Sequence, residues 1–332
     1  TAFCYSQQCL SDEYLKKVKT PQLDKKITNV ISSFKNNHSN TTNKGLAIQN
    51  IVSDEIIVIP VVFNVIHNGE PIGTGRNISL SKINEQITIM NQAYGGEYGG
   101  VDTKIRFCLA KQNTVGQVST GVNRFLGNSS YDVLYGNEIN LIVDKEIKTN
   151  ISSGFPNSLF LNIWTADLKG NGQDGVNGYS SFPYVLGVED VDNTLDGIVL
   201  DYIKVGVNVT ANPNDINNSN GSTAIHEAGH WLGLFHIFQD NDKLPCNEVH
   251  CDTEGDMICD TESVPAWGLT NIVTSGNCLG YDCNGHTTDV VQNFMDYQTA
   301  ARLYCRTKFT AGQKERMRDI VSFYRSSIYN QG

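Results

Sequence analysis

The stretch TAIHEAGHWLGLFHIFQD, residues 223–240, concentrates three histidines, a glutamate and two glycines within eleven positions. His226 and His230 are four residues apart, so on a helix both imidazoles project from the same face, one turn apart. Two nitrogens at that spacing can bind one tetrahedral zinc ion. Glu227 follows the first histidine but is rotated about 100° round the helix, which suits a general base acting on the water of the metal.

Two further residues extend this pattern beyond the helix. Gly233 lies where the helix must stop in a left-handed conformation, so that the chain can turn back. His236 can then become the third ligand, and three protein ligands leave one coordination position open, as in catalytic zinc sites. Histidines that merely lie on a polar face would not explain Gly233 together with His236. The pattern therefore predicts a catalytic zinc site.

A second stretch, NFMDY at residues 293–297, is informative when it is considered together with the first. Taken alone, Met295 is compatible with ordinary core packing and Tyr297 with an ordinary half-buried tyrosine. Beside the zinc pattern, the stretch resembles the Met-turn of the metzincin metallopeptidases, which forms a hydrophobic floor beneath the zinc. That resemblance implies that Met295 is structural and that Tyr297 assists the metal site and stabilises the tetrahedral oxyanion.

The resemblance covers residues 56–320 and points to one metzincin family, the pappalysins (cytophagalysins). It is carried by IPVVFNVIHNG, IRFCLA, LNIW, DGIVLDY, HEAGHWLGLFH, GDMICDT, NFMDY and KFTAGQKERM. It implies a secreted endopeptidase acting on proteins or peptides, with one catalytic zinc and a structural calcium. By the match of GDMICDT (255–261), Asp256 and Thr261 would supply oxygens to calcium, a cation that prefers oxygen ligands.

Nine cysteines occur, six of them between residues 246 and 305, where long apolar runs are rare. This distribution favours disulfides formed in an oxidising compartment. A second zinc site using Cys278 and Cys283 is the alternative. The family resemblance implies two bridges and leaves two further candidate pairs: Cys278–Cys305, Cys251–Cys283, Cys246–Cys259 and Cys4–Cys108.

The N-terminal cysteines admit two interpretations. CLSDE at residues 9–13 resembles the Cys-Gly-x-Asp-Glu start of family zymogens, with Leu10 in place of the glycine. The resemblance implies that the Cys9 thiolate occupies the open zinc position and keeps the enzyme latent until a polar linker near residues 36–50 is cut. The alternative is a leader peptide that carries two disulfide-bonded cysteines.

Composition limits the partners of the chain. A formal net charge of −10 over 332 residues argues against nucleic acid and against anionic membrane surfaces. No stretch reaches the ~18 apolar residues of a membrane helix. Eight Asn-x-Ser/Thr sequons are compatible with a secreted glycoprotein, and we expect a monomer.

Periodicity predicts strands at residues 56–66, 103–112, 159–167 and 196–206 and helices at 12–35, 81–94 and 310–329. These elements predict a mixed α/β (α+β) layer that ends at the histidine helix, and the family resemblance implies a metzincin fold. In that fold a twisted five-stranded sheet is backed by helices, and the active-site helix follows. An irregular, disulfide-stapled C-terminal subdomain then ends in a helix, whose start is marked by a Thr310–Gln313 capping box.

The same reasoning divides the chain into three parts. Residues 1–50 form a helical segment and linker similar to a pro-segment, 51–236 a catalytic subdomain with the zinc helix, and 237–332 a C-terminal subdomain with the Met-turn. Substrate is expected to add to LFLNIW (159–164) as an edge strand. The rival prediction is a catalytically idle, zinc-stabilised binding protein or adhesin, which would have no need of Glu227.

Overall fold

A computed structural model describes residues 55–127, 141–150, 154–168, 176–186, 278–297 and 304–329, and, with short gaps, residues 8–32, 195–239 and 251–265. The predicted mixed α/β class is confirmed, although the main sheet has seven strands where five were expected. Its strands are β1 (Gln8–Cys9), β2 (Ile57–His67), β3 (Ile105–Leu109), β4 (Val122–Leu126), β5 (Leu161–Ala166), β6 (Val176–Ser180) and β7 (Ile198–Asp201).

The sheet is organised around the eleven residues of β2. One side of β2 pairs with β3 through its first half and with β4 through its second half, and the other side pairs with β5, all in parallel. From β5 the order continues to β7 and β6 and finally to β1. Only β6 runs antiparallel to its neighbour β7, while β1 adds to β6 in parallel.

Helices cover both faces of this sheet. The described helices are α1 (Ser11–Val18), α2 (Leu80–Tyr94), α3 (Leu141–Lys148), α4 (Ser222–Trp231), α5 (Ala311–Tyr324) and α6 (Ser326–Tyr329). Alternate side chains of β5 divide between two cores, because Ile163 belongs to the core that includes α2 and α4, whereas Trp164 packs with α3. In the described part of the chain, no helix combines the length and apolarity needed to cross a bilayer.

The prediction that residues 159–164 form an edge strand is wrong. β5 lies inside the sheet between β7 and β2, and all six of its residues are buried. A continuous apolar run is typical of an internal parallel strand, whereas an edge strand alternates or contains polar residues. The strand beyond β7 is instead β6, whose sequence VNGYS carries no strong strand signal.

The C-terminal part is anchored to the zinc helix through a buried ion pair. The Arg325 guanidinium donates to both carboxylate oxygens of Asp196, at 2.7 and 3.0 Å, and stacks 3.5 Å above the Trp231 ring. Trp231 Nε1 and Ser181 Oγ donate to the same carboxylate. This node joins the end of α5, the end of α4 and the segment that follows β6.

Candidate metal centre and cleft

The histidines converge as the sequence predicted. Helix α4 carries His226 and His230, Gly233 adopts a φ of +86°, and the chain returns with His236. The three Nε2 atoms lie 3.1 Å apart in every pair, and each residue is at most 2% exposed. A side chain at Gly233 would also place its Cβ only 2.7 Å from Ile320, so the turn has room for glycine alone.

Each imidazole is oriented by an acceptor on its other nitrogen. Nδ1 of His226 donates to the carbonyl of Phe294, and Nδ1 of His230 donates to the carbonyl of Leu234, both at 2.7 Å. Nδ1 of His236 donates to Oδ2 of Asp12, also at 2.7 Å. Because a carbonyl or carboxylate oxygen only accepts, the protons lie on Nδ1, and lone pairs on Nε2 face the centre.

Electrostatics favour the same neutral state of the rings. Burial, reinforced by the neighbouring rings, lowers the pKa of His226 well below its ordinary value, and burial with His236 lowers that of His230 to about 3. Three lone pairs therefore meet with no proton between them, an arrangement that a cation stabilises. The three nitrogens fit a zinc ion, which takes histidine ligands in tetrahedral geometry.

The Met-turn packs beneath this centre. Met295 is fully buried and its backbone carbonyl accepts from Ile237 N at 3.3 Å. A Cβ on Gly229 would lie 2.4 Å from the Met295 sulfur, so the helix needs a glycine where the sulfur approaches. The sequence prediction did not include Gly229. The sequence signal for Gly229 is a glycine inside a helix. Glycine at such a position lowers helix stability, so its presence indicates that another group packs closely against the backbone.

Tyr297 lies at the side of the triad. Its ring centroid is 4.7 Å from that of His236 and 5.8 Å from that of His226, and it also contacts Phe238 at 4.8 Å. The structure therefore brings Tyr297 together with the predicted ligands.

Glu227 lies on helix α4 and faces strand β6 of the sheet. It is fully buried, and its Oε2 accepts a 2.9 Å hydrogen bond from Ser11 Oγ. Ser11 Oγ itself accepts from the backbone N–H of Ser180 in β6, at 2.8 Å. A Cβ on Gly178 would lie 3.2 Å from Glu227 Cγ, so this glycine leaves space for the carboxylate. Neither Ser11 nor Gly178 was predicted from the sequence.

Three of the four cysteine pairings need correction. The bridge Cys278–Cys305 is present, but Cys251 pairs with Cys259, which excludes the pairs Cys251–Cys283 and Cys246–Cys259. Cys108 is an exposed free thiol, which excludes Cys4–Cys108. Cys251 and Cys259 are eight residues apart in the sequence, and spacing in the sequence does not specify such connectivity.

The remaining cysteine predictions have different outcomes. Cys278 and Cys283 are both disulfide-bonded, so the alternative of a second zinc site built on them is wrong. The backbone of Cys9 lies in β1, but its side chain is outside the described residues, as are Cys4 and Cys246. The thiolate ligand predicted at Cys9 therefore stays a prediction.

The proposed calcium residues form a compact oxygen cluster. Both carboxylate oxygens of the buried Asp256 lie within 2.8 Å of Thr261 Oγ1, which is also 2.6 Å from the carbonyl of Ile258. Burial raises the pKa of Asp256 to about 7, against the opposing effect of the Thr261 hydrogen bond. Carboxylate, hydroxyl and carbonyl oxygens are the ligand types that calcium takes, so this cluster is compatible with the calcium site that the resemblance implies.

Known proteins resemble this chain along most of its length. A peptidase family model described as Pregnancy-associated plasma protein-A matches residues 148–322. An extracellular metalloprotease of Sordaria macrospora is 29% identical over 274 residues, which cover 82% of this chain and 77% of that protein. An extracellular metalloprotease of Aspergillus fumigatus is 35% identical over 166 residues, 47% of this chain and 46% of its own.

Two solved structures from Tannerella forsythia share the fold. Mature mirolysin in complex with a cleaved peptide matches with a TM-score of 0.58 and 25% identity, covering 83% of this chain and 96% of its own. A promirolysin mutant matches with a TM-score of 0.62 and 23% identity, covering 97% of this chain and 96% of its own.

Proposed function

We propose that this chain, which belongs to the pregnancy-associated plasma protein-A family as its resemblance to pappalysins implied and is a metalloendopeptidase, is secreted as a zymogen. Once activated, it hydrolyses peptide bonds with one zinc ion. Secretion is supported by relatives that are extracellular metalloproteases and by disulfides in the described C-terminal part. The observation that carries the proposal is the set of three oriented Nε2 lone pairs with a buried carboxylate on the adjacent residue.

His226, His230 and His236 would hold the zinc. When bound there, zinc polarises a substrate carbonyl and brings the pKa of water to near 7. The Glu227 carboxylate takes a proton from the attacking water as the carbon–oxygen bond forms, and it delivers that proton to the nitrogen as the carbon–nitrogen bond breaks. Tyr297, whose ring lies beside His236 and His226, would donate to the oxyanion that develops on the carbonyl.

Substrate would lie along β6. One side of β6 pairs with β7, and substrate would add to the other side. An extended peptide adds to such a strand through backbone hydrogen bonds. Strand β1 uses two residues of that side, pairing Gln8 with Val176 and Cys9 with Gly178. We therefore assign β1 to the pro-segment, which must leave before a protein or peptide substrate can bind.

Latency is supported by the comparison with the two mirolysin forms. The pro-form covers 97% of this chain and the mature form 83%, a difference of 14% or about 46 residues. That length is close to the predicted pro-segment of residues 1–50, which would be followed by the catalytic part (51–236) and the C-terminal part (237–332). A calcium ion held by Asp256 and Thr261 is the second cofactor of the proposal.

Replacement of the base tests the proposed chemistry. Glu227→Ala in the full chain, cut in the 36–50 linker, should retain zinc by elemental analysis and lose peptide cleavage by at least about a thousandfold. The exposed Glu97→Ala variant is the matched control and should cleave at the normal rate. If Glu227→Ala cleaves normally while the metal is retained, Glu227 is not the base. If the cut wild type itself retains zinc and cleaves no peptide, the chain is better described as the zinc-stabilised binding protein.

A further inference from the structure

The N-terminal segment reaches the cleft with two consecutive side chains. Ser11 is fully buried between Glu227 and β6, donating to the carboxylate at 2.9 Å and accepting from Ser180 N–H at 2.8 Å. Asp12 accepts from Nδ1 of His236 at 2.7 Å. A hydroxyl thus faces the proposed base while a carboxylate faces the third histidine.

The two contacts have different chemical consequences. A carboxylate that accepts a hydrogen bond is a weaker base, and the Ser11 hydroxyl occupies the position from which a water proton would reach Glu227 Oε2. Asp12 gives His236 the same kind of acceptor that backbone carbonyls give His226 and His230, so it keeps the triad assembled. The base is engaged while the metal site stays formed.

We propose that Ser11 and Asp12 form a latch that holds the enzyme latent by occupying Glu227 and His236, in addition to any thiolate supplied by Cys9. The inference rests on the proposed function, in which residues 1–50 are a pro-segment. The motif CLSDE therefore contributes, after its cysteine, one side chain that blocks the base and one that holds the segment on His236. Strand β1 brings the latch to the cleft, and α1 begins at Ser11 and carries the chain away from it.

Docking of the segment depends on other contacts. Leu15, Leu23, Ile27 and Val30 pack in one apolar cluster with Phe182, Tyr184 and Phe235 of the catalytic part and Ile320 of the C-terminal part. The ammonium group of Lys26 also lies 5.1 Å above the ring of Tyr324. Removal of the Ser11 hydroxyl should therefore weaken the inhibition while most of the docked surface remains.

The test uses the full chain with a recognition sequence for a site-specific protease inserted in the 36–50 linker. Cleavage of a fluorogenic peptide is measured before and after the linker is cut, for the wild type, S11A, S11A/D12A, C9A and the control S32A. Ser32 is an exposed serine of the same segment. The assay contains excess zinc, so that weaker zinc binding in the D12A background does not limit activity. Because a hydrogen bond to a charged group is lost, uncut S11A should be at least about tenfold more active than the uncut wild type, and S11A/D12A more active still.

Two results separate this inference from the proposed function. After the cut and removal of the segment, all variants should have the same activity; an inactive wild type at this stage would refute the proposed peptidase function itself. If uncut S11A and S11A/D12A are as latent as the uncut wild type, the latch is refuted. C9A measures the share of latency that the thiol contributes, and full activity of uncut C9A would also overturn the proposal.

A second measurement covers the case in which S11A/D12A does not fold. A synthetic peptide of residues 1–34, added to the cut wild-type enzyme, should inhibit it, and the S11A form of the peptide should need at least roughly ten times the concentration. The S32A peptide should match the wild-type peptide. Equal inhibition by the wild-type and S11A peptides would overturn the proposal.

Discussion

Replacement of Arg325 by Met should strongly destabilise the protein. Arg325 is 3% exposed and makes a two-point ion pair with Asp196, at 2.7 and 3.0 Å. Its removal leaves the Asp196 carboxylate buried with only the donors of Trp231 and Ser181. Removing one partner of a buried ion pair lowers the free energy of unfolding by about 3–5 kcal/mol. At roughly 2 °C per kcal/mol in a chain of this size, the midpoint of thermal unfolding should fall by about 6–10 °C.

The assay is thermal unfolding followed by circular dichroism, with two comparison variants. Arg76→Met breaks an ion pair to Asp167 at 2.9 Å whose side chains are 19% and 22% exposed, and should cost at most about 1 kcal/mol. The double variant D196N/R325M removes both charges and keeps an acceptor for the neighbouring donors, so it should recover at least half of the loss. If R325M loses no more stability to thermal unfolding than R76M, the buried ion pair does not contribute the stability that its geometry indicates.

Three further perturbations test the site and the thiols. Gly229→Ala forces a methyl group to within 2.4 Å of the Met295 sulfur, so peptide cleavage should fall at least about tenfold and stability by about 1–3 kcal/mol; normal activity would refute the close approach. Loss of the Asp12 acceptor in D12A should weaken zinc binding by about 10–100-fold in competition with a chromogenic chelator, while S32A binds normally. Cys108 should be alkylated in the native protein, with a rate that rises up to and beyond pH 9, because partial burial of the sulfur raises the pKa of this otherwise exposed thiol; a pH-independent rate would contradict this.

The parts of the site predicted from the sequence are those determined by local geometry. Spacing of four residues on a helix and one glycine in a left-handed turn were sufficient to bring His226, His230 and His236 together. Ser11 and Asp12 could not be found this way, because their partners lie 216 and 224 residues further along the chain. Strand order was equally inaccessible, since the apolar run of β5 indicates burial but not its neighbours.

The eleven-residue zinc pattern is insufficient without the C-terminal helix. His226 is oriented by the Phe294 carbonyl, and the backbone beside that carbonyl is fixed by Asn293, whose side-chain amide exchanges two hydrogen bonds with Gln313 at 2.8 and 3.0 Å. Gln313 belongs to α5, the helix whose end is tied back to the zinc helix by Arg325. The ligand geometry is therefore supported by a closed path of buried contacts through both parts of the chain, and Arg325 belongs to that path.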